Sequence, residues 1–409
     1  MNTFFFISNT LYKNNNTYLT TTVQKINLVS IIICEVAIIV SIFVMNGFCD
    51  NITNLITSLN GHIRITKYSS KDLVMSMDDN PIGRENISQV KSEFSPFVQK
   101  TTAFAHKAVL LKSFTNEVEG IVLKGIENIA ENKGISKYIT GKSKLKCIKD
   151  RNVNEILISE QTACKLNTCV NDELLVCVVD NPLKCRKVRV VGIYSTYIPD
   201  LDDRFAFCDL KLVQKINNWS INEIGGYELT VYDIGKIDDL SKKIAKHLDG
   251  DLKLMNIRDD YGSIFDWLKA IHINITIFVV LVLIVTSANL ISGVITNIMS
   301  KTSTIGILRS IGISCKQMWL ILFYTNFFTL VKGMLIGNIV GIGLCAIQYH
   351  FKILHLDPAC YYIDFVPISW KWTNLIILDL ITLFITTIVI IVSIASILAN
   401  KPITAIRVK

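Results

Sequence analysis

A long polar stretch, residues 49–265, interrupts a chain that is otherwise apolar. One apolar segment precedes it at about residues 26–44, and three follow at about 271–294, 318–347 and 375–398. A helix crosses a hydrocarbon core of about 30 Å with about 20 apolar residues, and each segment reaches that length. The expected architecture is therefore a polytopic α-helical membrane protein. It has four transmembrane helices and a large extracytoplasmic α+β domain between helices 1 and 2. The boundaries read as an N-terminal segment at 1–25 and spans at 26–48, 266–298, 318–349 and 374–399. Between them lie the soluble domain with helical stalks at both ends (49–265), a loop at 299–317 and a second loop at 350–373, with a tail at 400–409.

Charge placement sets the orientation. The stretch 49–265 holds 30 Lys+Arg against 29 Asp+Glu. Such a neutral domain lacks the basic clusters that replace counterions on nucleic acid, so nucleic acid is not an expected partner. The surplus of positive charge sits in short segments. Lys13 and Lys25 precede the first span, Lys301, Arg309 and Lys316 lie between spans two and three, and Lys401, Arg407 and Lys409 lie in the tail. The loop before the last span balances Lys352 and Lys371 against Asp357 and Asp364. The positive-inside rule then predicts both termini and the 299–317 loop in the cytoplasm. No small-residue cleavage site follows the first span, which reads as a retained anchor.

Motifs for chemistry are few. Ile139-Thr140-Gly141-Lys142-Ser143 ends like a phosphate-binding loop, but the first glycine of that motif falls on Ser136, and the segment reads as an ordinary loop. His62, His106 and His247 are scattered, no Cys/His ligand spacing occurs, and neither catalysis, a metal nor a bound cofactor is expected. Eleven cysteines at irregular spacing make a poor disulfide framework. Cys164/Cys169 and Cys177/Cys185 would pair if they faced each other on adjacent strands, but the pattern favours small buried hydrophobes.

Helical periodicity extends beyond the membrane. Phe48, Ile52, Leu55, Ile56 and Leu59 continue the first span as an amphipathic helix ending near Gly61. Ile264, Phe265 and Leu268 lead into the second span in the same way. These two segments read as stalks. In the cytoplasmic loop, Ile305, Leu308 and Ile311 form one face of a short helix flanked by Lys301 and Arg309. Such a face suits anionic lipid or a groove on a cytoplasmic partner. Gly333, Gly337 and Gly341 form a small-residue stripe for close packing on another span or a second subunit. Glu35, Lys332 and Asp379 fall in or near the spans, and Glu35 and Lys332 are placed to pair across spans one and three.

With these residues in view, the chain resembles the permease subunits of the lipoprotein-releasing (LolC/LolE-like) ABC transporters, within the FtsX-like and MacB-like permeases. The resemblance rests on Met45-Asn46-Gly47-Phe48, Gly61-His62-Ile63-Arg64-Ile65, Glu119 to Gly125 and Val190 to Tyr194. It continues through Ile305-Gly306-Ile307-Leu308-Arg309 with Gly312, Tyr361-Tyr362-Ile363-Asp364 with Val366-Pro367, and Pro402 with Ala405-Ile406-Arg407. The chain departs from the pattern at Lys301-Thr302-Ser303-Thr304, where relatives often carry a glutamate. The resemblance implies a non-enzymatic permease of the bacterial inner membrane. A separate cytoplasmic ABC ATPase would bind the ATP and dock on the 301–313 segment. A second permease chain, lipoprotein cargo and a periplasmic carrier are the other implied partners. The alternatives are an FtsX-like mechanotransmitter acting on an envelope hydrolase and a MacB-like export permease.

Overall fold

The computed structural model describes residues 18–68, 78–87, 94–129, 133–140, 154–178, 184–248, 250–300 and 302–399. It divides into a helical unit (1–50, 267–355 and 365–409) and a sheet unit (51–266 and 356–364). The longer helices are α1 (Tyr18–Asn60), α2 (Leu210–Asn217), α3 (Ile237–Ala245), α4 (Gly262–Ser300), α5 (Thr302–Ser310), α6 (Cys315–Phe351) and α7 (Trp372–Ala399). Among the described residues, α1, α4, α6 and α7 are long and apolar enough to cross a membrane.

Both α1 and α4 exceed what a bilayer requires. The 43 residues of α1 and 39 of α4 give lengths of about 65 and 58 Å at about 1.5 Å per residue. The boundary between the two units falls inside each of them, and neither helix breaks there. Helix α1 stops where Gly61 takes a left-handed conformation (φ 66°) and donates its N–H to Thr57 at 2.9 Å. A side chain resists that conformation, so glycine is the usual residue at such a cap. Helix α6 begins with a reciprocal cap between Ser314 and Gln317.

The sheet unit is built from β1 (Ile63–Lys67), β2 (Ile82–Gly83), β3 (Val98–Lys112), β4 (Val118–Ile126), β5 (Ile139–Thr140) and β6 (Glu155–Ser159). It continues with β7 (Glu173–Val178), β8 (Lys184–Tyr194), β9 (Phe205–Asp209), β10 (Glu223–Ile224), β11 (Gly226–Val231) and β12 (Leu252–Asn256). Ten of these join in the order β12-β1-β11-β3-β4-β9-β6-β8-β5, with β7 pairing β3 and β8, while β2 and β10 form a separate pair. The pairs β4/β9 and β6/β8 are parallel and the rest antiparallel. Ile63, Ile65, Leu123, Ile156 and Val190 of the sheet share one core with Leu212, Val213 and Ile216 of α2 and Ile237, Leu240 and Ile244 of α3. Asp209 fixes the start of α2 by accepting the Lys211 N–H at 2.9 Å.

One expectation about cysteines is corrected here. Cys177 and Cys185 lie directly opposite each other on β7 and β8 and form a disulfide. Cys164 and Cys169 are free and exposed. Cross-strand register made the difference, because residues facing each other on antiparallel strands have close Cβ atoms. Residues 141–153, with the end of the glycine-lysine-serine segment, lie outside the described residues.

His62 at the entry to β1 is buried, and its Nδ1 accepts the Val231 N–H at 3.0 Å. Burial lowers its pKa to about 4. Above pH 6.5 the ring is neutral whether the chain is folded or not, so the full stability is present. As pH falls from 6.5 to 4 the unfolded chain takes up the proton first, and about 3 kcal/mol of stability is lost. Chemical denaturation between pH 7 and 4 should show this slope in the sheet unit. His62→Asn, which keeps an acceptor for Val231, should flatten it; an unchanged slope in that variant would remove His62 as the cause.

Candidate functional site

The end of α1 is held by a buried ammonium from the middle of the sheet. Lys124 on β4 is fully buried. Its Nζ donates to the Leu59 carbonyl at 2.7 Å, Asn60 Oδ1 at 2.8 Å and Glu228 Oε1 at 2.5 Å. The last carbonyls of a helix have no partner within it and carry partial negative charge, so a cation there satisfies both needs. Asn60 in turn donates its amide to the Tyr261 hydroxyl at 2.8 Å, one residue before α4 begins. Arg64 on β1 pairs with Asp260 at 2.6 Å beside it. Burial pulls the Lys124 pKa below the ordinary lysine range, partly offset by Glu228. The network therefore ties the last turn of α1, two strands and the residue preceding α4 to one charged atom. Sequence reading missed it. The available signal was a lysine inside the apolar run Ile121-Val122-Leu123-Lys124-Gly125-Ile126.

The stalk residues divide by burial. Phe48, Ile52, Leu55, Ile56 and Leu59 on α1 are buried, as are Ile264 and Leu268 on α4, while Phe265 is half-buried.

In the helical unit the glycine stripe lies against α1 of the same chain. A methyl group at Gly333, Gly337 or Gly341 would fall 2.7, 2.7 and 3.2 Å from side-chain atoms of Ile31, Glu35 and Ile39. Residues four apart on α6 thus meet residues four apart on α1, and the missing side chains let the helices approach closely. The expected pair of Glu35 with Lys332 is corrected by this geometry. Glu35 is buried against Gly337 and its charged neighbour is Asp379 on α7, whereas Lys332 lies on an exposed face of α6. Position 332 is rotated about 140° from position 337 around the helix, so the face that receives Glu35 does not carry the lysine.

Near the end of α1, a side chain at Gly47 would run into the backbone of Pro367 and Ile368. Asp50 accepts from Ser369 Oγ at 2.7 Å and Lys371 Nζ at 2.6 Å. These contacts join the segment 45–48 to the one around Val366-Pro367.

Helix α5 sits between α4 and α6 in the chain. Ile305 and Leu308 are partly buried and pack against the core of the helical unit formed by Leu290, Val294, Met318 and Ile394. Part of the surface of Ile305 and Leu308 is therefore taken up by their own chain. An amphipathic helix next to an apolar bundle buries its stripe there first. The free apolar groups lie on the other side, where Ile307 and Ile311 are 57% and 74% exposed, beside exposed Gly306, Arg309 and Gly312. Arg309 reaches the Cys315 Sγ at 3.3 Å. Lys301 lies outside the described residues.

Residues 276–402 match the family model for the FtsX-like permease C-terminal domain. Over 362 residues the chain is 24% identical to the lipoprotein-releasing system transmembrane protein LolC of Buchnera aphidicola subsp. Schizaphis graminum, spanning 85% of this chain and 84% of that protein. It is 23% identical over 407 residues to the lipoprotein-releasing system transmembrane protein LolE of Haemophilus influenzae, spanning 92% of each. The chain is thus similar to the LolC and LolE permeases, and its C-terminal part to the FtsX-like permease domain. Among solved structures, the periplasmic region of MacB from Actinobacillus actinomycetemcomitans aligns with a TM-score of 0.35 at 14% identity, covering 50% of this chain and 92% of that one. The match to the FtsX-like domain takes in α5, the glycine stripe of α6 and α7. The Lys124 network lies outside it.

Proposed function

We propose that this chain is the permease subunit of an ABC transporter that releases lipoproteins from the inner membrane. A separate cytoplasmic ATPase docks on α5 and binds the ATP. Both termini and α5 lie in the cytoplasm, as the surplus of Lys and Arg in those segments favours, and the sheet unit lies in the periplasm. The observation that carries the reading is the outward face of α5. Ile307 on α5 and Ile311 just beyond its end stay exposed, while Ile305 and Leu308 are partly buried, which suits insertion into an apolar groove on a partner. The lipoprotein cargo is supported by the similarity to LolC over 84% of that protein and to LolE over 92% of it. A second permease chain and a periplasmic carrier complete the proposed cycle.

Depleting the protein should leave lipoproteins destined for the outer membrane in the inner membrane, read by membrane fractionation. Normal sorting after depletion would overturn the lipoprotein reading. Co-purification of an envelope hydrolase without lipoprotein would replace it with the mechanotransmitter alternative.

A further inference from the structure

A polar cavity of about 480 Å³ lies within the sheet unit, inside the usual range of a small-molecule site, roughly 300–1,000 Å³. Arg64 and Lys67 of β1, His106 of β3, Lys253 of β12 and Ser263 of α4 line it. His106 is 6% exposed and its ring is held in place. Nδ1 lies 3.1 Å from Asp79 Oδ2, which also accepts the His106 backbone N–H at 2.7 Å. The rings of Phe104 and Phe205 lie 4.8 and 5.8 Å away. A carboxylate only accepts hydrogen bonds, so the shared hydrogen sits on Nδ1. The other ring nitrogen, Nε2, is buried without a partner, and so is Nε of Arg64.

The acids of the lining are already engaged. Asp78 accepts from Lys107 Nζ and the Ala108 N–H, both at 2.8 Å. Asp260 holds Arg64 at 2.6 Å, and Asp200 pairs with Arg204 at 3.5 Å. Together with Lys107, which lies against the lining, Arg64, Lys67, Arg204 and Lys253 set five positive charges against the four of Asp78, Asp79, Asp200 and Asp260. What the lining has to spare is therefore donors. The Arg64 Nε–H has no acceptor. Ser263 stands in the first turn of the 39-residue α4, where backbone N–H groups lack partners within the helix and draw anions.

We propose that this cavity binds a phosphate group that bears a titratable proton, as free phosphate or as a phosphate monoester. Its anionic oxygens accept from Arg64 Nε, in the field of Lys67 and Lys253. Its hydroxyl meets His106 Nε2, and that hydrogen bond forms whether the proton rests on the oxygen or on the ring. Sulfate brings no proton, so it bonds Nε2 only after the ring has taken one from water. The site therefore prefers phosphate to other tetrahedral anions.

Calorimetric titration of the full chain in detergent tests this, with inorganic phosphate, glycerol 3-phosphate and sulfate at matched ionic strength. Inorganic phosphate or glycerol 3-phosphate should bind saturably, and sulfate about tenfold more weakly, the difference of one charge-assisted hydrogen bond. Arg64→Lys keeps a cation for Asp260 and removes Nε. His106→Asn keeps a donor for Asp79 and removes Nε2. Each should weaken binding by about tenfold with the circular dichroism of the sheet unchanged. Soluble probes that fail, with a thermal midpoint raised by phosphatidic acid over phosphatidylcholine in nanodiscs and not raised in either variant, would assign the phosphate to a lipid headgroup and uphold the site. Sulfate binding as tight as phosphate, binding unaltered in both variants, or no response to any phosphate probe would each overturn the proposal.

Discussion

Lys124→Met should destabilise the sheet unit by about 3–5 kcal/mol, the usual cost of removing one partner from a buried ion pair. The substitution keeps most of the side-chain volume, so packing contributes little to the loss. What remains is the Glu228 carboxylate with no counter-charge, together with the Leu59 carbonyl and Asn60 Oδ1 stripped of their donor. In a unit of this size the thermal midpoint should drop by roughly 10 °C, taking about 2–4 °C per kcal/mol. The double variant Lys124→Met with Glu228→Met separates the two contributions. It removes the stranded charge and should recover at least half of the loss, because an apolar pair of similar volume often replaces a buried ion pair at little cost. A double variant no better than the single one would show that the bonds to the end of α1, and not the pair with Glu228, carry the stability. Chemical denaturation of the full chain in detergent, followed by the loss of β-sheet circular dichroism, would measure both.

The second large effect concerns α5. Ile307→Asp should weaken ATPase binding by about 10- to 100-fold, since one buried aliphatic anchor contributes about 1.5–3 kcal/mol. Ile311→Asp should act likewise. The fold should be unaffected, because both side chains project away from the helical core. The contrast lies one position away. Leu308→Asp and Ile305→Asp place a charge against Leu290, Val294 and Met318, and should lower the stability of the helical unit itself. Co-purification of the ATPase, scored with the thermal midpoint, distinguishes the two classes. Normal ATPase capture by Ile307→Asp and Ile311→Asp alike would remove this face as the docking surface.

That contrast shows how far the sequence could be read. The four spans were legible because lipid imposes a length and a composition that little else satisfies. Strands rich in Ile and Val, such as β6 and β8, announced themselves by the same chemistry. Strand β3 did not, although it is the longest at 15 residues. Its Ala103, Ala105, Ala108, His106 and Lys107 are poor strand signals, and its stability comes from pairing with β4, β7 and β11. Periodicity found the apolar face of α5 but not what covers it, because Ile305, Ile307, Leu308 and Ile311 leave apolar groups on both sides. The bonds of Lys124 and the seating of Glu35 against Gly337 depend on residues far apart in the chain. No local pattern encodes such meetings.

The three-rung match between Gly333, Gly337, Gly341 and Ile31, Glu35, Ile39 also restricts how such a chain can change length. Each added residue turns a helix by about 100°. A single insertion between Ile31 and Ile39, or between Gly333 and Gly341, would leave some rungs aligned and swing the others away from their glycines. Substitutions away from the glycines leave the register in place, whereas an insertion or deletion between the rungs does not.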